Sequence, residues 1–369
     1  MKAAILHGRE KIAIEDIAPP ALKPGEVRIR IEAALTCGTD LKVFKRGYHA
    51  KMIVPPAVFG HELAGVISEV ADGRAGSPLP AARPNDKNGA HGVARPAGAG
   101  GPWKTGDRVV VANSAPCGGC FHCQAGRENL CEDLLFLNGA YAESIVVPAR
   151  LVQKNLLRLK PETDFRDAAM VEPLACVVQG VEDTQLRSGQ NVLVIGAGPI
   201  GLMFVALARQ LGCQVTVAGR RAARLQAAQQ LGAARVIDIG DGNGLVARVR
   251  EMSGTPFDAA IEAVGLPSAW EAAVQLVRKG GTVNFFGGCP SGTSITLDTT
   301  LIHYSNLTLL ASFHHTPRTI RRALEFIEAK VIRAADFVDG ECPLSQLPEL
   351  FQSMAAGNHA VKTLIRVHE

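Results

Sequence analysis

NVLVIGAGPIGLMFVALARQLG, residues 191–212, is the stretch whose reading decides the fold. A short apolar run ends at glycine, as a buried strand does, and a helical apolar pattern opens at Pro199. Between them Gly196, Gly198, Pro199, Ile200 and Gly201 make up a G-x-G-x-x-G loop. Such a loop alone is weak; a strand before it and a helix after it give it meaning. The glycines allow a tight turn, close approach of a pyrophosphate and tight helix–strand packing, and the helix N-terminus favours the phosphates' negative charge. The plain alternative is a flexible glycine turn.

Downstream the alternation continues. QVTVAG (214–219) reads as a strand and RAARLQAAQQLG (221–232) as a helix. VIDI (236–239), DAAIEAV (258–264) and TVNFFGG (282–288) read as further strands with helical patterns between several of them. Strand–helix alternation implies an α/β domain with a doubly wound parallel sheet, here assigned to residues 159–298. At the end of the second strand an NAD site carries an acid for the ribose hydroxyls. This chain has Gly219 there, followed by Arg220, Arg221 and, a turn on, Arg224. Without the acid nothing repels a phosphate, and guanidinium groups bind one bidentately, so NADP is expected in preference to NAD. The alternative is an ordinary solvated helix start.

Upstream, VRIRIEA (27–33), LAGVISEV (63–70) and DRVVVAN (107–113) alternate with period two between Gly and Pro. They predict a strand-rich domain over 1–158. HTPRTIRRALEFIEAK (315–330) predicts a helix entered through Pro317, and the strand-like VKTLIRV (361–367) needs a sheet to join. Residues 299–369 are therefore expected to return to the first domain, making it discontinuous. The Gly/Ala/Pro-rich tract 72–102 is expected to be a mobile loop with a solvated His91.

Four of the nine cysteines, Cys117, Cys120, Cys123 and Cys131, crowd into residues 117–131. Such short intervals let one loop wrap an ion, and four thiolates close a tetrahedral zinc site with no open position, so this zinc would be structural. Gly118 and Gly119 permit the tight turns, and His122 is expected to point outward. An iron–sulfur cluster and a free-standing zinc ribbon are the alternatives; no proline follows the last cysteine, and the rest of the chain suggests no electron-transfer partner. Cys176, Cys213, Cys289 and Cys342 are expected to be buried thiols. A second constellation combines Cys37 in TCGTD with Gly60-His61-Glu62. One soft and one borderline ligand suit a catalytic zinc, and Glu172 in VEPLACV adds a carboxylate that, if buried, needs a charge partner.

Taken together, CGTD (37–40), GHE (60–62), GDRV (106–109), the cysteine lobe, EPLA (172–175) and GAGPIG (196–201) resemble the zinc-containing medium-chain dehydrogenase/reductases, close to the sorbitol (L-iditol) and threonine dehydrogenase branch. The resemblance spans almost the whole chain. It implies a GroES-like barrel for both terminal parts, a Rossmann domain between them and an active site in the cleft. It further implies two zinc ions per chain, with Cys37, His61, Glu62 and Glu172 at the catalytic one. By the same resemblance Thr39 is the implied hydroxyl that starts proton transfer from the alcohol while hydride passes to the nicotinamide. A secondary alcohol of a polyol, sugar derivative or amino-alcohol is the implied substrate, and a homodimer or homotetramer the implied assembly. Gln179 departs from the histidine that many polyol dehydrogenases carry there. Phe44, Tyr48 and Phe59 are expected near the pocket, and His303, His314 and His315 receive no role.

Composition narrows the rest. The chain is 47% hydrophobic and 20% charged with a net charge of +4 and no dense basic run, and aromatics are only 5%. A nucleic-acid partner is not expected. The charged N-terminus lacks a signal-peptide core, and no apolar run reaches membrane length, so a cytoplasmic protein is expected. Two rivals stand beside the dehydrogenase: a zinc-free quinone or enoyl reductase, which would lack the cysteine lobe and zinc motifs, and a non-catalytic cofactor- or zinc-binding interaction protein.

Overall fold

The computed structural model describes residues 1–49, 52–71, 102–240, 244–357 and 361–368. Most of the tract 72–102, including His91, lies outside them.

The quoted stretch folds as read. Asn191–Ile195 is a buried strand and Pro199–Gln210 a helix. Five more strands lie parallel around it, in the spatial order Arg235–Asp238, Gln214–Gly219, Asn191–Ile195, Phe257–Glu262, Val277–Phe285 and Thr308–Ala311. Strand order reverses between Asn191–Ile195 and Phe257–Glu262, where Ile195 faces both Ala218 and Glu262. The glycine loop leaves the sheet at that crevice, where ligands of doubly wound sheets bind. The sheet runs past residue 298: Thr308–Ala311 is its last strand, and the helix Pro317–Glu328 packs on Val171–Thr184. This edge strand is short and half exposed, so its sequence carries little apolar pattern to read.

The chain then returns to the first domain. Val27–Leu35 alternates as its sequence does, with Val27, Ile29 and Ile31 inside and Arg30 outside. It pairs along one edge with Glu62–Val70. Its other edge is shared by Ser144–Val147 and by the C-terminal strand Lys362–Arg366, through Leu364 opposite Leu35. The GroES-like domain is thus completed by a strand from the far end of the chain. Val338–Pro343, Arg108–Val111 and Leu156–Arg158 extend this sheet, and Lys11–Asp16, Lys2–Gly8 and Ala57–Val58 form a smaller one.

Phe44 and Phe59 are core residues, stacked around Phe351 and Tyr141, not pocket walls; Tyr48 is largely exposed. Cys213 and Cys342 are buried as expected, whereas Cys176 and Cys289 are half-buried. Among the described residues no helix is long and apolar enough to cross a membrane.

Candidate active site and zinc lobe

Sheet register assembles the site. Leu35 ends its strand opposite Glu62, so the residues just beyond Leu35 meet those around Glu62. Cys37 caps the helix Gly38–Arg46 in an extended conformation, and its Sγ accepts from the Thr39 amide at 3.4 Å. His61 and Glu62 are both buried. One ligand atom each from Cys37, His61 and Glu62 lies within 4.8 Å of the others.

Each ligand is held from behind. His61 Nδ1 donates to Asp40 Oδ1 at 2.9 Å, which leaves Nε2 for a metal, and Tyr141 donates its hydroxyl to Asp40 Oδ2 at 2.6 Å. This carboxylate–histidine pair is the usual support of a metal-binding imidazole. Burial would depress the His61 pKa, but the charges of Asp40 and then Cys37 outweigh it and raise it well above the ordinary histidine range. Lys362 Nζ donates to Glu62 Oε2 at 2.5 Å and to the Thr36 carbonyl at 2.9 Å. Burial pushes the Glu62 pKa up against the pull of Lys362. Glu62 Oε1 is enclosed and has no hydrogen-bond partner. An orphaned buried carboxylate oxygen beside a thiol and an imidazole fits zinc.

Glu172, on the first turn of Val171–Thr184, does not join that trio within the same distance; it groups with His314 and His315. Burial raises the Glu172 carboxyl to about 7, with His61 opposing. His315 is buried, with Nε2 2.9 Å from Asn113 Oδ1 and 4.0 Å from Glu172 Oε1. His314 Nε2 lies 2.6 Å from Ser114 Oγ. Burial, and then neighbouring histidine charge, lowers His314 to about 4 and His315 further, so both imidazoles are neutral. Thr39 is half-buried on the first turn of Gly38–Arg46. Gln179 donates to Asp183 one turn along its helix, and Asp183 accepts from Ser312.

The cysteine lobe is a separate centre. Cys117 and Cys123 place their sulfurs 4.0 Å apart, and Cys120 and Cys131 place theirs 3.9 Å apart, with no disulfide among them. The edge of a zinc–thiolate tetrahedron built on 2.3 Å bonds is about 3.8 Å. Backbone N–H groups of Gly119 and Cys120 point at the Cys117 sulfur and lower its pKa, and those of Cys123 and Glu132 lower Cys120 to about 6. Burial raises Cys123 to about 12, and the neighbouring Cys120 and Cys131 sulfurs add to it. His122 is half-buried, its Nδ1 enclosed rather than turned to solvent.

At the dinucleotide loop, Gly196 has φ 113°, open to glycine, and a Cβ on Gly201 would meet the Gly196 carbonyl oxygen at 1.9 Å. Gly198 faces open space and caps the helix that Pro199 and Ile200 begin. That open cradle at a helix N-terminus fits a pyrophosphate. A Cβ on Gly219 would lie 2.7 Å from that of Ala197 in this loop, so glycine is there for packing. Arg220 and Arg221 are exposed beyond it and Arg224 is half-buried; Arg221 sits at φ 72° and donates to the Gly357 carbonyl at 3.1 Å.

Sequence reading missed Asp40, Tyr141, Asn113 and Lys362. Asp40 alone carried a signal, standing three residues after Cys37 in CGTD.

Residues 199–329 match the zinc-binding dehydrogenase family model, and 23–85 and 87–157 match the alcohol dehydrogenase GroES-like domain. D-altritol 5-dehydrogenase of Agrobacterium fabrum is 33% identical over 339 residues, 89% of each chain. Sorbitol dehydrogenase of Bacillus subtilis is 28% identical over 369 residues, 99% of this chain and 97% of its own. A putative zinc-binding dehydrogenase of Sinorhizobium meliloti, solved bound to NADP, superposes with a TM-score of 0.82 at 27% identity, over 99% of this chain and 98% of that one.

Proposed function

Because the chain belongs to the zinc-binding, GroES-like alcohol dehydrogenase family, we propose that it interconverts a secondary alcohol of a polyol or sugar alcohol and its ketone, with catalytic zinc held by Cys37, His61 and Glu62. It is a zinc-dependent oxidoreductase that uses a nicotinamide cofactor. The observation that carries the site assignment is the buried, orphaned Glu62 Oε1 beside Cys37 and His61.

Zinc held there supplies Lewis acidity, favouring ionisation of the alcohol or polarisation of the ketone. The chain does the rest. Asp40 fixes the tautomer of His61, and Lys362 fixes Glu62 and partly offsets its charge. Thr39 Oγ1 accepts the hydroxyl proton on the oxidative path while passing its own towards solvent, and the same relay runs in reverse on the reductive one. The crevice beyond Gly196–Gly201 holds the cofactor that accepts hydride, with Pro199 and Ile200 opening the helix beneath its phosphates. Glu172 is the further carboxylate of this site, and with His314 and His315 it offers hydrogen-bonding groups that suit a hydroxyl-bearing substrate.

NADP is the proposed cofactor, supported by Arg220, Arg221 and Arg224 around Gly219. Two zinc ions per chain are proposed, the second held by Cys117, Cys120, Cys123 and Cys131, and a homo-oligomer is the proposed assembly. A panel of neutral polyols, aldonates and amino-alcohols, each assayed with NADP and NAD, tests the reading. Neutral polyols with NADP should give the highest kcat/KM. Cys37→Ser should abolish turnover in a folded protein that keeps its lobe zinc; full activity there refutes the assignment. Arg220→Ala should raise KM for NADP about tenfold and leave NAD nearly unchanged, as expected for one charge-assisted phosphate contact; equal effects refute the cofactor preference.

A further inference from the structure

We propose that Lys154 is the counter-cation of the cysteine lobe, its ammonium laid over the loop between Cys117 and Cys120 and favouring the metal-loaded lobe by its charge. The proposal rests on the reading that Cys117, Cys120, Cys123 and Cys131 hold zinc.

One short helix grips the lobe. Ala149–Lys154 buries Leu151 and Val152 in the core of the GroES-like domain. Its polar side chains reach the lobe at both ends. At the exit Arg150 donates to the Asp133 carbonyl at 2.9 Å and to the Asp133 carboxylate at 2.8 Å. At the entry Asn155, fully buried just past the helix, donates to the Ser114 carbonyl at 2.6 Å. Lys154 stands beside the turn that follows. A Cβ on Gly118 would lie 3.0 Å from Lys154 Nζ and 3.6 Å from its Cε, so a side chain there would take the ammonium's place. Gly118, at φ 83°, is thus glycine for the turn and for the lysine that covers it.

Lys154 is half-buried, and no hydrogen bond or ion pair holds its ammonium among the described residues. A cation that has given up part of its hydration favours a neighbouring anion. Zinc with four thiolates is such an anion, since the thiolates outweigh the ion. The lobe does not neutralise itself: Arg127 stands against Glu128, Glu132 and Asp133. Backbone amides of Gly119 and Cys120 at the Cys117 sulfur, and of Cys117 at the Cys131 sulfur, bring only partial positive charge. Arg150 is taken up by Asp133. Lys154 is the full charge that this helix still has to give.

The direction follows from loading. Metal binding displaces thiol protons, so the lobe becomes more negative as it fills, and a fixed cation beside it favours the filled state. Among the described residues Nζ makes no bond to a sulfur, so the effect acts through space and is screened by salt.

The test follows zinc lost from the loaded chain to a chromogenic chelator. Cys120→Ser, which removes a lobe ligand, identifies the lobe's zinc by abolishing it. Lys154→Met should weaken the lobe site about tenfold, the low end for outer-shell partners, and leave the catalytic zinc unchanged. Lys154→Arg should restore the affinity. The gap between Lys154→Met and the parent should close as KCl rises to about 1 M, where the Debye length is about 3 Å. Circular dichroism reports folding, and Lys154→Gln takes the place of Lys154→Met if that variant does not fold. Lobe zinc held equally by parent and variant overturns the proposal alone. So does a loss that arginine does not restore or that salt leaves unchanged, since packing would then be the cause. A parent chain without lobe zinc refutes the zinc reading of the cysteines, and this proposal with it.

Discussion

Asp40→Asn isolates what charge behind a ligand contributes to metal binding. Asp40 is 1% exposed and accepts from His61 Nδ1 at 2.9 Å and from the Tyr141 hydroxyl at 2.6 Å. Asparagine has the same shape but only one acceptor oxygen. That oxygen still serves His61. The new amide then donates to the Tyr141 oxygen, whose proton turns to the Leu35 carbonyl, 3.1 Å away. Every hydrogen bond is replaced, so the fold should survive, and what is lost is the negative charge that makes His61 a better donor to zinc. Outer-shell partners of this kind are worth about 10- to 100-fold in metal affinity, or about 1.4–2.7 kcal/mol. The assay is competition with a zinc chelator, following the two sites separately, with kcat/KM measured against free zinc. The catalytic site should weaken by that factor while the cysteine lobe stays unchanged. Wild-type affinity at the catalytic site would refute the argument; loss of lobe zinc as well would show that the variant acts through folding.

Two further perturbations test other parts of the reasoning. Glu262 is fully buried, and burial raises its carboxyl from 4.5 to about 7 against the amides of Gly265 and Val264. The folded state therefore holds a proton that the unfolded state has lost between those values, so this group destabilises the fold as pH rises from about 4.5 to 7 and stays unfavourable above. Glu262→Gln should be nearly neutral at pH 4.5 and stabilising by up to about 3 kcal/mol at pH 8, read by denaturant melts; the same difference at both pH values contradicts it. Gly219→Asp, the obvious route to an NAD site, should fail. Its Cβ would meet that of Ala197 at 2.7 Å, so the variant should lose about 1–3 kcal/mol of stability and bind both cofactors more weakly. Stability like that of the parent with tightened NAD binding would show that the loop yields.

What the sequence by itself determined was whatever its chemistry could write within a short span. Four cysteines within fifteen residues announce a metal-binding cluster because the ligands are close along the chain. The glycine loop is legible because its backbone demands, a positive φ at Gly196 and a close approach at Gly201, admit few other residues. Period-two and helical patterns expose both domains, and VKTLIRV announces a strand without stating its partner. The tertiary structure decided everything that depends on register between distant segments. Lys362 meets Glu62 across 300 residues because Leu364 pairs with Leu35 and Leu35 with Glu62. His315 reaches Asn113 across 202 residues, and Glu172 comes within reach of both His314 and His315. A strand's alternation tells which face is buried, whereas its neighbours are chosen by the packing of the whole sheet. The supports of the ligands, the surroundings of Glu172 and the reason for Gly219 therefore appear only once the chain is folded.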